Sequence, residues 1–228
     1  MFRFFEANML KTLNIRITAF TIALLLPLCF IACKKDAPQP DGQLREEFPS
    51  FGHVLNGSAA SPIKIEVFSD LQCPGCRNFF IKTILPIMND YKEKVSVTYH
   101  EYPLTGHRYA HQAARYVAAA ARLGPTKVLP VYEAIFTDQD YWASDGSLEE
   151  SVAKALSRED FQRVTQILRN VNSVAEIDEG IERELQMGRN KGVTSTPTMF
   201  ITYGGKEQKV DGGANYQVMK QFLDPIVK

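Results

Sequence analysis

The chain has 228 residues, of which 45% are apolar and 23% are charged, and these values are typical of a globular protein rather than a disordered or fibrous one. The 26 Lys and Arg residues balance the 26 Asp and Glu residues, so nothing in the composition predicts a nucleic-acid partner. Four cysteines are too few for a small disulfide-stapled scaffold. The length allows one ordinary domain or two small ones.

The N-terminal segment has the features of an export signal. The basic residues Arg3, Lys11 and Arg16 precede an uncharged, strongly apolar run from Ile17 to Cys33. Such a run, with Pro27 inside it, is short for a membrane-spanning helix of about 20 residues and is typical of a secretory signal peptide. The segment is therefore predicted to direct export.

The end of this segment, Phe30-Ile31-Ala32-Cys33, resembles a bacterial lipobox, in which the cysteine is lipidated and becomes the first residue after cleavage. The match is imperfect because Phe30 stands where lipoboxes prefer Leu. We expect lipidation at Cys33, followed by a flexible tether over residues 34–50, which are polar and contain prolines. Two alternatives stay open: residues 1–33 form an uncleaved membrane anchor, or the protein is secreted without an anchor.

Beyond residue 50, hydrophobic periodicity predicts strands near both ends and a helical block between them. The first part contains a strand, a helix that Pro86 interrupts, and a second strand (63–68, 76–91 and 95–102). Two helices (107–124 and 126–136) and three amphipathic runs follow, and each run opens with a capping box (Ser147, Ser157 and Ser173). A hairpin and a helix close the chain (197–203, 206–210 and 215–226).

The first predicted strand leads directly into Cys73-Pro74-Gly75-Cys76 at the start of a helix. Two cysteines three residues apart on one helical turn have Cα atoms about 5.5 Å apart, as a disulfide requires. Unpaired N–H groups and the helix dipole favour a thiolate at the first cysteine. A thiolate with a lowered pKa is both a nucleophile and a good leaving group, so the pair can cycle between dithiol and disulfide.

Two other interpretations of this cysteine pair are weaker. Structural zinc needs four ligands, and after signal cleavage no second cysteine pair remains. Of the four histidines, only His107 and His111 are predicted to share a helix face, and such histidines are usually solvated. A purely structural disulfide would close a very short loop and stabilise the fold little. We therefore expect a redox role and no bound metal.

Two segments, FSDLQCPGC (68–76) and GVTSTPT (192–198), resemble the DsbA-like branch of the thioredoxin superfamily. This branch inserts a helical domain between the β-α-β and β-β-α halves of a thioredoxin fold, which is the order predicted above. The resemblance implies an α/β, thioredoxin-like fold over residues 51–228, with an all-helical insertion at about 105–191. It also implies that Pro197 is cis and packs against the cysteine sulfurs, and that the backbone at Thr196 pairs with the substrate chain.

The implied function is an exported thiol–disulfide oxidoreductase, in which Cys73 forms a mixed disulfide with a client protein and Cys76 resolves it. Thr196 and Pro197 shape the client site. No cofactor is needed because electrons pass through protein thiols, and an unidentified membrane redox partner would regenerate the pair. We expect a monomer at the periplasmic or outer face of the cell membrane.

Several questions of function stay open at this point. We favour an oxidase over a reductase. An isomerase is favoured least, because isomerases usually carry a dimerisation module and residues 34–60 are too short to form one. The alternative from another class is a non-catalytic client- or metal-binding protein on the same fold.

The sequence departs from the family pattern at two positions. Val67 stands six residues before Cys73, where many members carry a buried glutamate, and strand alternation places the neighbouring Glu66 on the other face. Gly75 replaces a histidine that stabilises the reduced thiolate in strongly oxidising relatives. We therefore expect a weaker oxidant than DsbA, whose potential is about −120 mV.

Overall fold

The computed structural model describes residues 52–227, so the predicted signal segment, Cys33 and the tether over residues 34–50 lie outside the described residues. A five-stranded sheet with the order β1-β3-β2-β4-β5 forms its centre. The β2–β3 pair is parallel, and the other neighbouring pairs are antiparallel. The strands are β1 (His53–Asn56), β2 (Ile63–Ser69), β3 (Val95–Glu101), β4 (Thr198–Tyr203) and β5 (Lys206–Asp211).

Both faces of the central strands are buried, and each face belongs to a different apolar cluster. Ile63, Ile65 and Val67 alternate into the main core, on the face covered by the helices that follow β2. Phe68 points to the other face and packs with Tyr102 and Phe200 in a smaller cluster. The sheet therefore separates two layers of helices, as in an α/β domain.

The predicted helix after β2 is confirmed, and it contains a π-helical turn just before Pro86. It comprises α1 (Pro74–Phe79), a π-helical turn (Phe80–Ile84) and α2 (Leu85–Tyr91). In a regular α-helix the ring of Pro86 would clash with the carbonyl of Lys82. The wider π turn contains Lys82, so the helix continues past the proline without breaking.

The described chain between β3 and β4 is helical, and this confirms the insertion that the sequence predicted. Trp142, Tyr132 and Phe136 are fully buried. Tyr132 packs against Phe80 and against Tyr99 of β3, and Phe136 packs against Phe80. The insertion therefore shares the main core. Its helices are α3 (Ala110–Ala121), α4 (Val128–Thr137), α5 (Gln139–Trp142), α6 (Leu148–Ala155), α7 (Arg158–Arg169) and α8 (Val171–Asn190).

Of the three predicted capping boxes, one is confirmed. Ser157 caps α7, and its hydroxyl accepts a hydrogen bond from the N–H of Asp160 at 3.1 Å. The box at Ser173 is wrong, because Asn170 caps α8 one turn earlier and accepts from the N–H of Ser173. Ser147 precedes α6, but its side chain donates to Asp145 and makes no cap hydrogen bond.

Helix α8 covers the second face of the sheet. An added Cβ at Gly188 would lie 2.5 Å from the Tyr102 ring and 3.0 Å from Phe68, so only glycine permits this approach. One turn before Gly188 on the same helix, the buried Glu184 carboxylate accepts hydrogen bonds from the N–H groups of Gly52 and Glu101. Gly52 directly precedes β1 and Glu101 ends β3, so Glu184 links the start of β1 to the end of its partner strand. The sequence did not predict β1.

The closing elements follow the prediction. Gly204 and Gly205 have φ values of 55° and 74°, which the tight β4–β5 turn requires. Helix α9 (Tyr216–Leu223) then starts at Asn215, whose side chain accepts from the N–H of Val218. Within residues 52–227, no helix is both long and apolar enough to cross a membrane.

Candidate active site

The site begins at the junction between β2 and α1. Cys73 is the N-cap of α1, with extended backbone angles (φ −75°, ψ 121°), and Pro74 occupies the first helical position, where its missing N–H costs nothing. The carbonyl of Cys73 accepts the first helical hydrogen bond from Arg77 at 3.1 Å. One turn later, Cys76 faces the core and is fully buried, while Cys73 is partly exposed.

The two thiols have opposite electrostatic environments. A hydrogen bond from the Cys76 thiol, assisted by the N–H groups of Cys76 and Gly75, lowers the pKa of Cys73 to about 5. Burial, together with the neighbouring Cys73, raises the pKa of Cys76 well above its usual range. At neutral pH the pair therefore presents an accessible thiolate next to a protonated, buried thiol.

The loop before β4 completes the site. The Thr196–Pro197 peptide bond is cis, as predicted. The thiol of Cys73 lies 3.6 Å from the carbonyl oxygen of Thr196, and a Cβ at Gly75 would lie 3.7 Å from the ring of Pro197. Antiparallel pairing of β2 with β4 brings these segments together although Cys73 and Thr196 are 123 residues apart. Thus Cys73, Cys76, Thr196 and Pro197 form one cluster.

Glu66 lies away from the cysteines, on the face that strand alternation predicted. The neighbouring His100 ring, with Nε2 3.7 Å from the carboxylate, and then the Lys191 ammonium at 2.7 Å lower the pKa of Glu66 to about 2. Val67 points into the main core beneath the site and carries no titratable group. The position that holds a glutamate in many relatives is therefore apolar here.

The sequence analysis missed a buried carboxyl on the neighbouring strand. Glu101 lies opposite Ser69 in the parallel β2–β3 register and shares a strand face with Tyr99. Burial raises its pKa well above the usual range, and the Tyr132 hydroxyl donates a hydrogen bond to it. Alternation from Val97 through Tyr99 could have placed Glu101 on the buried face.

A second group of missed residues holds the loop in front of Cys73. The carboxylate of the fully buried Asp70 accepts from the N–H groups of Gln72 and Leu104, each at 2.7 Å. The main chain of Asp70 touches both cysteines, because its N–H donates to Cys76 Sγ at 3.4 Å and its carbonyl accepts from Cys73 N–H at 3.1 Å. The sequence signal that could have indicated this role is Asp70 itself, an acid two residues after a buried strand position and three residues before Cys73.

The predicted pairing of His107 with His111 on one helix face is wrong. His107 lies in the turn before α3, and its Nδ1 is 2.8 Å from the Asp70 carboxylate. His111 is on α3 and lies 3.8 Å from Asp178. His107 therefore lies before the helix, where its ring contacts Asp70. Among the described residues, no group of three His, Cys, Asp or Glu side chains could hold a metal ion.

These features define a protein with a DsbA-like thioredoxin fold and a dithiol motif at the start of its first long helix. The family model described as thioredoxin matches residues 50–225, and the chain therefore belongs to the thioredoxin family. No curated protein matches the sequence.

Solved structures with the same fold include three proteins of bacterial origin. The thiol-disulfide exchange protein alpha-DsbA2 of Wolbachia pipientis is 21% identical, with a TM-score of 0.60 over 75% of this chain and 85% of its own. DsbA2 of Pseudomonas aeruginosa is 24% identical, with a TM-score of 0.60 over 78% and 95% of the two chains. A periplasmic thioredoxin-like protein of Salmonella enterica serovar Typhimurium is 17% identical, with a TM-score of 0.55 over 77% and 90%. At these identities the likeness establishes the fold.

Proposed function

We propose that the protein is an exported thiol–disulfide oxidoreductase that exchanges disulfides with client proteins through Cys73 and Cys76. The observation that carries this proposal is the asymmetry of the pair. A partly exposed sulfur with a pKa of about 5 stands one helical turn from a buried thiol with a raised pKa. The name of the Wolbachia relative, a thiol-disulfide exchange protein, supports the same chemistry.

In the oxidising direction, a client thiolate attacks Cys73 Sγ of the oxidised pair, and the Cys73–Cys76 bond breaks. Cys76 leaves as a thiolate, which the N–H of Asp70, 3.4 Å from its sulfur, stabilises before it takes a proton. A second client thiolate then attacks the client sulfur of the mixed disulfide and displaces the Cys73 thiolate. The client loses two electrons and two protons. Both electrons and one proton stay on the pair, as the Cys73 thiolate and the Cys76 thiol, and the other proton passes to solvent.

The client would lie along the Thr196–Pro197 segment. The carbonyl of Thr196 already faces the Cys73 sulfur, and the cis bond directs the Pro197 ring toward the CPGC turn. A depression of about 430 Å³ lies along α1 beside the CPGC turn, and it is lined by Pro74, Arg77, Asn78, Ile81 and Lys82. A peptide that crosses the site could therefore rest one side chain on an apolar surface.

We favour oxidation over reduction as the direction of exchange. A stabilised thiolate makes the reduced form more stable and the disulfide more oxidising. The pKa of Cys73, about 5, lies between those of the nucleophilic cysteines of DsbA (about 3.5) and thioredoxin (about 7). The redox potential should therefore lie between about −270 mV for thioredoxin and about −120 mV for DsbA. Equilibration in glutathione buffers measures it, and a value at either limit would contradict this ranking.

The site of action would be the periplasm or the outer face of the cell membrane. The N-terminal sequence supports export, and the lipobox-like string supports lipid attachment at Cys33. An oxidase needs an acceptor for the two electrons from each client, and we assign this role to a membrane redox partner.

Replacement of the two cysteines tests the proposal. Cys73→Ser should abolish the oxidation of a reduced, unfolded client, because the attacked sulfur is gone. Cys76→Ala cannot form the internal disulfide, but its Cys73 thiolate can attack a disulfide in an oxidised client and expel one client thiolate. The covalent adduct should then accumulate, because no Cys76 is present to displace the client from Cys73. Non-reducing gels and mass spectrometry detect these adducts. A Cys76→Ala protein that forms no Cys73-dependent adducts would favour the alternative, a non-catalytic binding protein.

A further inference from the structure

The helical insertion sends one buried side chain to the backbone of the nucleophilic cysteine. Gln139, the first residue of α5, is 2% exposed. Its amide nitrogen donates to the carbonyl of Leu71 at 2.7 Å and to the carbonyl of Cys73 at 3.2 Å. Both N–H bonds of this amide are therefore directed at the loop in front of α1.

The short helix that carries Gln139 is itself firmly anchored. Trp142, at the other end of α5, is fully buried, and its indole N–H donates to the carbonyl of Ile135 at 2.7 Å. On the exposed side, Asp140 forms an ion pair with Arg77 of α1 at 2.7 Å. Contacts other than its own bonds to the loop therefore hold Gln139 in place, namely the buried Trp142 and the ion pair between Asp140 and Arg77.

Side chains of the loop also bind the insertion. The side chain of Gln72 accepts from the N–H of Tyr109 at 2.6 Å and donates to the carbonyl of Ala143 at 2.9 Å. The Asp70 carboxylate binds His107 at 2.8 Å. Three side chains therefore join the loop to the insertion, and that of Gln139 reaches the carbonyl of Cys73 itself.

This contact matters because the orientation of the Cys73 carbonyl determines how α1 and its first N–H groups lie relative to the Cys73 sulfur. The carbonyl fixes ψ of Cys73, which sets the direction in which α1 starts and where the N–H groups of Gly75 and Cys76 point. Those N–H groups, together with the Cys76 thiol, stabilise the Cys73 thiolate. Without Gln139, the buried Leu71 carbonyl would lose its side-chain donor, and the loop would have to move to find another.

We propose that Gln139 is a positioning residue for thiol–disulfide exchange, which from the helical insertion holds the peptide groups at Leu71 and Cys73 so that the Cys73 sulfur stays against the first N–H groups of α1. This inference rests on the proposed exchange function of Cys73. It assigns to the insertion a role in setting the reactivity of the dithiol.

The test is the titration of Cys73 in the reduced protein, followed by thiolate absorbance at 240 nm. Gln139→Met keeps the length of the side chain and removes both donors, and the midpoint should rise by about one pH unit. At pH 5 the thiolate fraction would then fall about fivefold. Gln112→Met is the matched control, because Gln112 also donates to a backbone carbonyl of the insertion, that of Gly146 at 3.4 Å. Its midpoint should not move.

An unchanged midpoint in folded Gln139→Met would overturn the proposal. If that variant does not fold, the wild-type protein supplies the second measurement by nuclear magnetic resonance. The side-chain amide signals of Gln139 should shift with pH at the same midpoint as Cys73, whereas those of Gln112 should not, and Gln139 signals that ignore this titration would overturn the proposal. A shifted midpoint in Gln139→Met, with no client exchange by the wild-type protein, would support the positioning and contradict the proposed function.

Discussion

At the scale of single residues, the reactivity of Cys73 depends mainly on the thiol one turn away. The hydrogen bond from Cys76 is the largest cause of the low pKa of Cys73, ahead of the N–H groups at the start of α1. Burial explains why Cys76 retains the proton that it donates. The identity of the side chain at position 76 should therefore control the ionisation of position 73.

Cys76→Ala should raise the pKa of Cys73 from about 5 toward the ordinary value of 9.0, because the donor is lost. Cys76→Ser retains an O–H donor and should keep the pKa low. The thiolate fraction that is present at pH 6 in wild type would thus be kept in the serine variant and lost in the alanine variant. Iodoacetamide alkylation rates between pH 4 and pH 9, a range set by these pKa values, measure both. Identical rate profiles for the two variants would refute this account.

The same reasoning affects the trapping experiment. If Cys73 in Cys76→Ala has a higher pKa, its thiolate becomes scarce at low pH and adducts form slowly. Trapping is therefore best carried out at about pH 8 or above, where the attacking thiol ionises.

At the scale of elements, the helices of the insertion show how local signals compete. The string Ser173-x-x-Glu176 has the form of a capping box, yet Asn170 lies three residues earlier and also favours the N-cap position. Because the helix that starts at Val171 is one turn longer, the earlier cap forms and Ser173 becomes part of the first turn. The local sequence does not show whether the helix starts after Asn170 or after Ser173.

This difference gives a direct comparison of three alanine variants. Ser157→Ala and Asn170→Ala should each lower the free energy of unfolding by about 1 kcal/mol, because each removes the acceptor for a helical N–H group. Ser173→Ala should change it by less than about 0.5 kcal/mol, since Ser173 is only half-buried and does not cap the helix. Urea denaturation measures all three, and a loss at Ser173 equal to that at Asn170 would show that the helix starts later.

At the scale of the whole molecule, the dithiol motif and the cis-proline loop depend on the sheet to meet. Strand β2 ends just before the CPGC turn and pairs with β4, which starts just after Pro197. The insertion between them returns to the same place, where Gln139 and His107 contact the loop. The site therefore combines three distant parts of the chain.

Attachment to the membrane is a prediction about the full-length chain. Cys33→Ala should release the protein from the membrane fraction of expressing cells, because the several acyl chains of a lipoprotein would be its anchor and a single chain binds only marginally. Cys29→Ala changes a cysteine of the same apolar segment and should leave the protein in the membrane fraction. Immunoblots of fractionated cells compare the two. Retention of Cys33→Ala with the membranes would favour an uncleaved anchor.

The sequence alone determined the features that depend on local pattern. Alternation located β2, β3, β4 and β5, helical periodicity located the insertion, and the CPGC and TPT strings pointed to the cysteines and the cis peptide bond. These inferences succeeded because period and turn chemistry are properties of neighbouring residues. The alternation also placed Glu66 on the face away from the cysteines.

Only the tertiary structure decided which polar side chains are buried and which of them contact the site. Glu101 and Asp70 are ordinary acids in the sequence, and burial in the fold gives one a raised pKa and the other its bonds to the insertion. The strand β1 is too short to show a period and exists through its pairing with β3. Gln139 reaches Cys73 across 66 residues, and no local pattern encodes that distance. Such contacts arise from the packing of remote elements, because the fold alone fixes which buried donor meets which carbonyl.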